Sequence, residues 1–366
     1  MKRICFVGYD LTKCGGLGRV ITSLANSLCE NEEKYEIHMV TVCNSQGNDF
    51  FFRLDERIKK FIISVDFNFR FRKIIFAAFK KLKDYIIKNN IDIIYIADFT
   101  IPPIVMMIKP FIKCKIIFAD HGTLSNQLEH KKATAFRFIG KVISDKIVVL
   151  TKQNAKDYQK YFKVKPNKIE VIYNWIDEEV LENVRPYNVD SKVIMSSGRF
   201  TEEKGVDMVP CIAKQVFSKH PDWQWHIYGD GPLMDSVKEE IVENNLQKNV
   251  IFKGFTSTMY DKYRNAGIFT LTSYREGLSL VLMEAKANRI PLVSFNCIAG
   301  PSEIITNGVD GYLIPCYNKE EMAQKICKLI ESPELRANFS HHLKDDLNKF
   351  SRAKILKQWF ELIDNI

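Results

Sequence analysis

Two glutamates with seven residues between them, Glu276 and Glu284, mark the stretch of this 366-residue chain best suited to chemistry. They lie in Tyr274–Asn288, YREGLSLVLMEAKAN. An apolar run from Gly267 to Thr272 predicts a strand leading in. Ser279 suits a helix N-cap, because its hydroxyl can accept a first-turn N–H. Leu280, Met283 and Ala287 then recur at helical spacing and predict a core face. The N–H groups around Ser279, Leu280 and Val281 lack helical partners and carry the positive end of the dipole, which suits a diphosphate. Carboxylates accept several hydrogen bonds at once and suit sugar hydroxyls. Together these groups are what a nucleotide sugar needs. The same spacing also fits a capped helix with two surface glutamates, and spacing alone leaves both open.

Other positions carry chemistry of the same kind. Arg199 and Lys204-Gly205 flank a loop after the apolar run Val193–Gly198, and two cations across a loop can converge on one pyrophosphate. Near the N-terminus, Gly15-Gly16-Leu17-Gly18 precedes a helix with Val20, Leu24 and Leu28 on one face. A glycine loop entering a helix is an anion site or a tight turn. It is neither a dinucleotide fingerprint, since Ile21 stands where the third glycine belongs, nor a Walker A loop. His121 follows the strand-like run Lys115–Ala119 and lies where open α/β sheets bind ligands. A lone histidine there is otherwise structural. Asp120 is placed to orient its imidazole.

Glu276-x7-Glu284 resembles the E-x7-E signature of retaining GT-B glycosyltransferases of family four, in the flavour of bacterial surface-polysaccharide enzymes. Arg199 to Gly205 is similar to the family's G-R-x3-x-K-G element, His226–Pro232 to its strand followed by G-x-G-P, and Lys168–Asp177 to the segment before its interdomain crossing. These elements occur in the family's order along nearly the whole chain. The resemblance implies that Arg199 and Lys204 hold the donor diphosphate, with Ser279 and Leu280 at the helix end. It implies that Glu276 holds hydroxyls of the transferred sugar and Glu284 the ribose. Gly229 and Phe255 lie near the nucleotide, Gly16 faces the donor phosphates and acceptor, and His121 contacts the sugar near its 6-hydroxyl. Arg199, Lys204, Glu276 and His121 form the catalytic set. No Asp-x-Asp tripeptide occurs, so no metal and no cofactor are expected.

The elements that must position these residues alternate. Arg3–Gly8, Tyr35–Val42, Lys60–Val65, Ile91–Ala97, Lys115–Ala119 and Lys146–Leu150 are apolar, β-branched runs. Helices are predicted near 17–30, 72–89, 102–109 and 152–163. That pattern implies a parallel sheet covered on both faces. A polar stretch at 181–190 with Pro186 reads as a linker. The expected organisation is α/β: a Rossmann-like acceptor-side domain over 1–180 and a nucleotide-sugar domain over 181–350, facing across a cleft. A terminal helix over 351–366 returns to the first domain through Trp359 and Phe360.

Hydrophobic residues make up 46% and charged residues 27%, a globular composition. No apolar run is long enough to span a bilayer. Nine cysteines without a Cys-x-x-Cys pair read as reduced core thiols of a cytoplasmic protein. The net charge is +9, yet residues 1–180 hold 30 Lys+Arg against 20 Asp+Glu. Within them Arg70–Asn90 sets Arg70, Arg72, Lys73, Lys80, Lys81 and Lys83 around a stripe of Ile74, Ile75, Phe79, Leu82 and Ile86. That is either the solvated face of an ordinary helix or a peripheral contact with anionic lipid at the inner membrane face. No nucleic-acid motif accompanies the charge. The implied activity is transfer of a hexose or N-acetylhexosamine from a nucleotide diphosphate sugar, UDP by family frequency, to a glycan or lipid-linked glycan in capsule or lipopolysaccharide synthesis. The rivals are a non-catalytic GT-B scaffold subunit and a GT-B nucleotide-sugar epimerase.

Overall fold

Near-continuous apolar runs become strands buried on both faces, and strands of that kind pair in parallel under helical layers. The structure, a computed structural model, describes residues 1–366 apart from 46, 48, 66–70 and 257, and apart from the side chains of 64–65 and 71–75. The chain divides into two compact units, Met1–Tyr173 with Leu356–Ile366, and Asn174–Ile355.

In unit 1 the strands are β1 Lys2–Gly8, β2 Tyr35–Cys43, β3 Lys59–Val65, β4 Ile93–Ile96, β5 Lys115–Asp120, β6 Lys146–Val149 and β7 Ile169–Val171. They form one sheet in the order β3-β2-β1-β4-β5-β6-β7, all parallel. Its helices are α1 Gly16–Cys29, α2 Phe71–Lys88, α3 Pro102–Ile108, α4 Lys131–Ile143 and α5 Lys152–Phe162. Helix α4 escapes sequence reading because Gly140 interrupts its propensity. The glycine is there for packing: a Cβ at Gly140 would lie 2.7 Å from Phe118 ring atoms. The last helix, Arg352–Asp364, lays Trp359 against Tyr95 at 5.6 Å and stacks Phe360 on Tyr35 at 6.0 Å, within unit 1.

The strands of unit 2 are β8 Val193–Ser197, β9 Gln224–Tyr228, β10 Val250–Gly254, β11 Ile268–Leu271, β12 Leu292–Phe295 and β13 Gly311–Ile314. Their order is β10-β9-β8-β11-β12-β13, again parallel. Trp225 and Phe200 are fully buried in its core. The chain changes unit at 173/174, ahead of the polar 181–190 stretch. That stretch is bonded to unit 2: the Tyr187 hydroxyl donates to Gly267 O at 2.6 Å, and Arg336 donates to Val189 O at 2.7 Å.

Of the α2 stripe, Leu82 and Ile86 are sunk in the unit 1 core beside Ala78, and Phe79 packs against it. This described part of the stripe therefore closes on the unit 1 core. Arg70 and the side chains of Arg72, Lys73, Ile74 and Ile75 lie outside the described residues. All nine cysteines are free thiols.

Candidate active site

Every loop that follows a strand in a parallel sheet emerges at the same edge. Where strand order reverses, the loops diverge and leave a crevice. In unit 2 the reversal falls between β8 and β11. The loop after β8 carries Arg199 and Lys204, and the loop after β11 carries Glu276 and Ser279. Lys204 Nζ lies 2.8 Å from Glu276 Oε1, and the same oxygen accepts the Ser273 hydroxyl at 2.7 Å. The Glu276 side chain is only 7% exposed, so its charge is held by these two donors. Burial works against the Lys204 ammonium, but the Glu276 carboxylate outweighs it and raises the pKa above the ordinary lysine value.

Gly205 makes this pairing possible. Its φ is +59°, and a Cβ there would sit 2.0 Å from the Thr272 carbonyl oxygen. Only glycine lets the 199–205 loop lie so close to the end of β11. The Thr272 hydroxyl then donates to Lys204 O at 3.0 Å and fixes the approach. Arg199 is exposed, and its guanidinium engages no partner among the described residues.

The helix Leu280–Ala287 differs from expectation in three respects. Ser279 occupies the N-cap position and is buried, yet its side chain makes no capping bond. Leu280 is only partly buried, whereas burial extends all round from Leu282 to Asn288. Glu284 is 3% exposed rather than a surface residue, and accepts the Tyr263 hydroxyl at 2.7 Å. Lys286, wholly buried, anchors the helix to Ile304 O at 2.9 Å and to the Asp310 and Asp346 carboxylates. The two glutamates thus sit in different environments, one beside an ammonium and one beside a phenol.

At the ends of β9 and β10, Gly229 N donates to Gly254 O at 2.9 Å. Gly229 has φ +134°, and a Cβ on it would meet Gly198 O at 1.9 Å. This close approach sets Gly229 directly against the residue before Arg199. Phe255, next after Gly254, is 61% exposed.

In unit 1 the strand order reverses between β1 and β4. Gly16 opens α1 after β1 and is exposed, as is Gly15, the N-cap. His121 follows β5. Its Nε2 lies 3.0 Å from the Tyr95 hydroxyl, which reaches it from β4. Tyr95 was not legible as a site residue, because nothing in IIYIAD separates it from a core tyrosine. The expected Asp120–imidazole bond is not among the contacts made. The Asp120 carboxylate instead takes Arg137 Nε at 2.7 Å, the Tyr158 hydroxyl at 2.8 Å and Gly122 N at 3.2 Å. Arg137 is fully buried, and an ion pair at that depth claims the carboxylate completely. Asp120 therefore sets the backbone that carries His121. Burial pushes the imidazole pKa down to about 4, with the Asp120 charge offsetting part of the fall, so His121 is neutral at pH 7.

Unit 2 thus gathers Arg199, Lys204, Gly229, Phe255, Glu276, Ser279 and Leu280 along one sheet edge, with Glu284 buried behind it. Unit 1 places Gly16 and His121 along its own corresponding edge. Sequence reading missed Ser273, Tyr263 and Tyr95. Of these only Ser273, three residues before Glu276, left a signal.

The family model described as "Glycosyl transferases group 1" matches residues 177–345, and that described as "Glycosyltransferase Family 4" matches residues 14–180. An uncharacterized glycosyltransferase of Haemophilus influenzae is 27% identical over 98% of this chain and 99% of its own length. A poly(ribitol-phosphate) alpha-N-acetylglucosaminyltransferase of Staphylococcus aureus is 30% identical over 60% of this chain and 44% of its own length. The crystal structure of an S. aureus TarM mutant, solved with Fondaparinux, alpha-GlcNAc-glycerol and UDP, superposes with a TM-score of 0.81 at 18% identity, covering 99% of both chains.

Proposed function

Since this chain belongs to the GT-B glycosyltransferases, we propose that it moves a hexose or N-acetylhexosamine from a UDP-sugar to a glycan or lipid-linked glycan, with retention at the anomeric carbon. The observation that carries the reading is the Lys204–Glu276 pair at the strand-order reversal of unit 2. It sets a cation for a diphosphate beside a carboxylate for sugar hydroxyls. Glu284 takes the ribose, and Phe255 lies by the base. The sugar–phosphate bond breaks as the acceptor oxygen attacks from the same face, and the acceptor proton passes to the departing phosphate oxygen. Charge developing on that diphosphate is met by Arg199, Lys204 and the N–H groups at the start of the 280–287 helix, without a metal. On unit 1, Gly16 and the neutral His121 are the residues we assign to the acceptor.

Surface-polysaccharide synthesis as the setting is supported by relatives named for poly(ribitol-phosphate) glycosylation and amylovoran biosynthesis. A cytoplasmic location with peripheral membrane contact follows from that acceptor class; among the described residues no helix is long and apolar enough to cross a membrane. Incubation with a panel of nucleotide sugars tests the reading. Release of UDP, with NMR of the product showing the donor's own anomeric configuration, is expected. Inversion, or no turnover of any nucleotide sugar with or without acceptor, overturns it.

A further inference from the structure

The crossovers from β3 to β4, β4 to β5, β5 to β6 and β6 to β7 all step in one direction across the unit 1 sheet. Right-handed connections therefore lay α2, α3, α4 and α5 on the same face. Phe79 of α2 meets Phe111, just past α3, at 6.1 Å, and Phe138 of α4 meets Phe162 of α5 at 5.5 Å. The inner side of this layer closes on the core. Its outer side leaves Phe76, Ile87, Met106, Phe111, Phe138 and Val142 in solvent, Phe76 at 69% and Phe111 at 59% exposure. Tyr161 of α5 is a seventh; elsewhere among the described residues of unit 1 only Met1 and Phe51 are large apolar side chains so exposed. Single exposed apolar residues need no explanation, but a concentration on one layer does.

The same layer is strongly basic. Among the described side chains, eleven lysines stand on these four helices and the short turn after α3, all at least partly exposed, against one exposed acid, Asp84. Asp157 is buried, as is the ion-paired Arg137. Cations and rings interleave: Lys83 Nζ lies 5.4 Å from the Phe111 ring centre and Lys141 Nζ 5.0 Å from that of Phe138. A soluble polyanion would need the lysines alone. Rings and aliphatic side chains among lysines match the boundary of an anionic bilayer, where apolar groups enter below the headgroups and ammonium groups reach the phosphates.

We infer that the outer side of the α2–α5 layer docks on an anionic lipid bilayer. The inference deepens the acceptor reading above by naming the surface that brings unit 1 to a lipid-linked acceptor, and it places the contact on four helices instead of the α2 stripe. Co-sedimentation with vesicles of phosphatidylglycerol and phosphatidylcholine tests it. Wild-type protein is expected to pellet with the anionic vesicles at low salt, to release at high salt, and to ignore pure phosphatidylcholine. Joint Phe76→Ser, Phe111→Ser and Phe138→Ser, and separately joint Lys80→Glu, Lys132→Glu and Lys156→Glu, are each expected to weaken binding about tenfold or more. Unchanged circular dichroism and unchanged UDP-sugar hydrolysis in solution serve as controls. Should the serine variant misfold, Ile87→Ser with Met106→Ser asks the same question. Failure of wild type to pellet overturns the inference. So does a folded serine variant that binds like wild type, or equal affinity for soluble polyphosphate, which would mark the layer as a polyanion surface. Absent sugar-nucleotide turnover with intact vesicle binding would sink the catalytic reading and leave the docking face standing.

Discussion

Lys204 Nζ and Glu276 Oε1 stand 2.8 Å apart although 72 positions separate them in sequence. One belongs to the loop after β8 and the other to the loop after β11, neighbouring strands where the sheet order reverses. Removing Lys204 leaves the Glu276 carboxylate with the Ser273 hydroxyl but without the ammonium beside it. Lys204→Ala is expected to lower kcat/KM by roughly 2–4 kcal/mol of transition-state stabilisation and to lower the melting temperature, since it takes the countercharge from a carboxylate that is 7% exposed. Adding Glu276→Gln should restore much of the stability and none of the activity. Thermal unfolding beside steady-state kinetics checks both, and full turnover by Lys204→Ala removes that residue from the site.

The His121 imidazole carries a pH signature. Its folded pKa, about 4, lies below its ordinary value of 6.5. Above pH 6.5 both folded and unfolded chains keep it neutral, and its contribution to stability is present in full. As pH falls from 6.5 towards 4 the unfolded chain takes up a proton that the folded chain refuses, and that stability is lost. Wild type should therefore lose more stability over this window than His121→Asn, measured by urea unfolding. The imidazole resonances should show no titration near pH 6.5, and Tyr95→Phe should change the ring nitrogen shifts by removing the 3.0 Å contact. A normal titration midpoint contradicts the burial argument.

Gly205→Ala probes the loop that delivers Lys204. The added methyl meets Thr272 O and the backbone must leave φ +59°, so a loss on the order of 2 kcal/mol or more is expected. Activity should fall with it, because Lys204 shifts away from Glu276. An alanine variant with wild-type melting temperature and turnover would show that the close approach is not required.

Transfer is expected to persist in excess chelator. The cations proposed above to meet the diphosphate, Arg199 and Lys204, are protein side chains, and the chain has no Asp-x-Asp. Activity abolished by chelator and restored by magnesium or manganese would assign the clamp to a metal.

What the sequence determined by itself was most of the order of strands and helices and the sheet edge on which the candidate residues lie. Apolar β-branched runs separated by helical spacing pair in parallel, and residues just past such strands, here Gly16, His121, Arg199 and Glu276, must emerge together at one edge of each sheet. Local rules miss α4, because the requirement behind Gly140 comes from Phe118 on another element. The tertiary structure alone decided which side chains meet across sequence: Lys204 with Glu276, Tyr95 with His121, Tyr263 with Glu284. It decided that Glu284 is buried, and that Leu82 and Ile86 face a core while Phe76 faces water. Periodicity assigns residues to faces of a helix, but which face is covered depends on what packs there, and that is set by the whole chain.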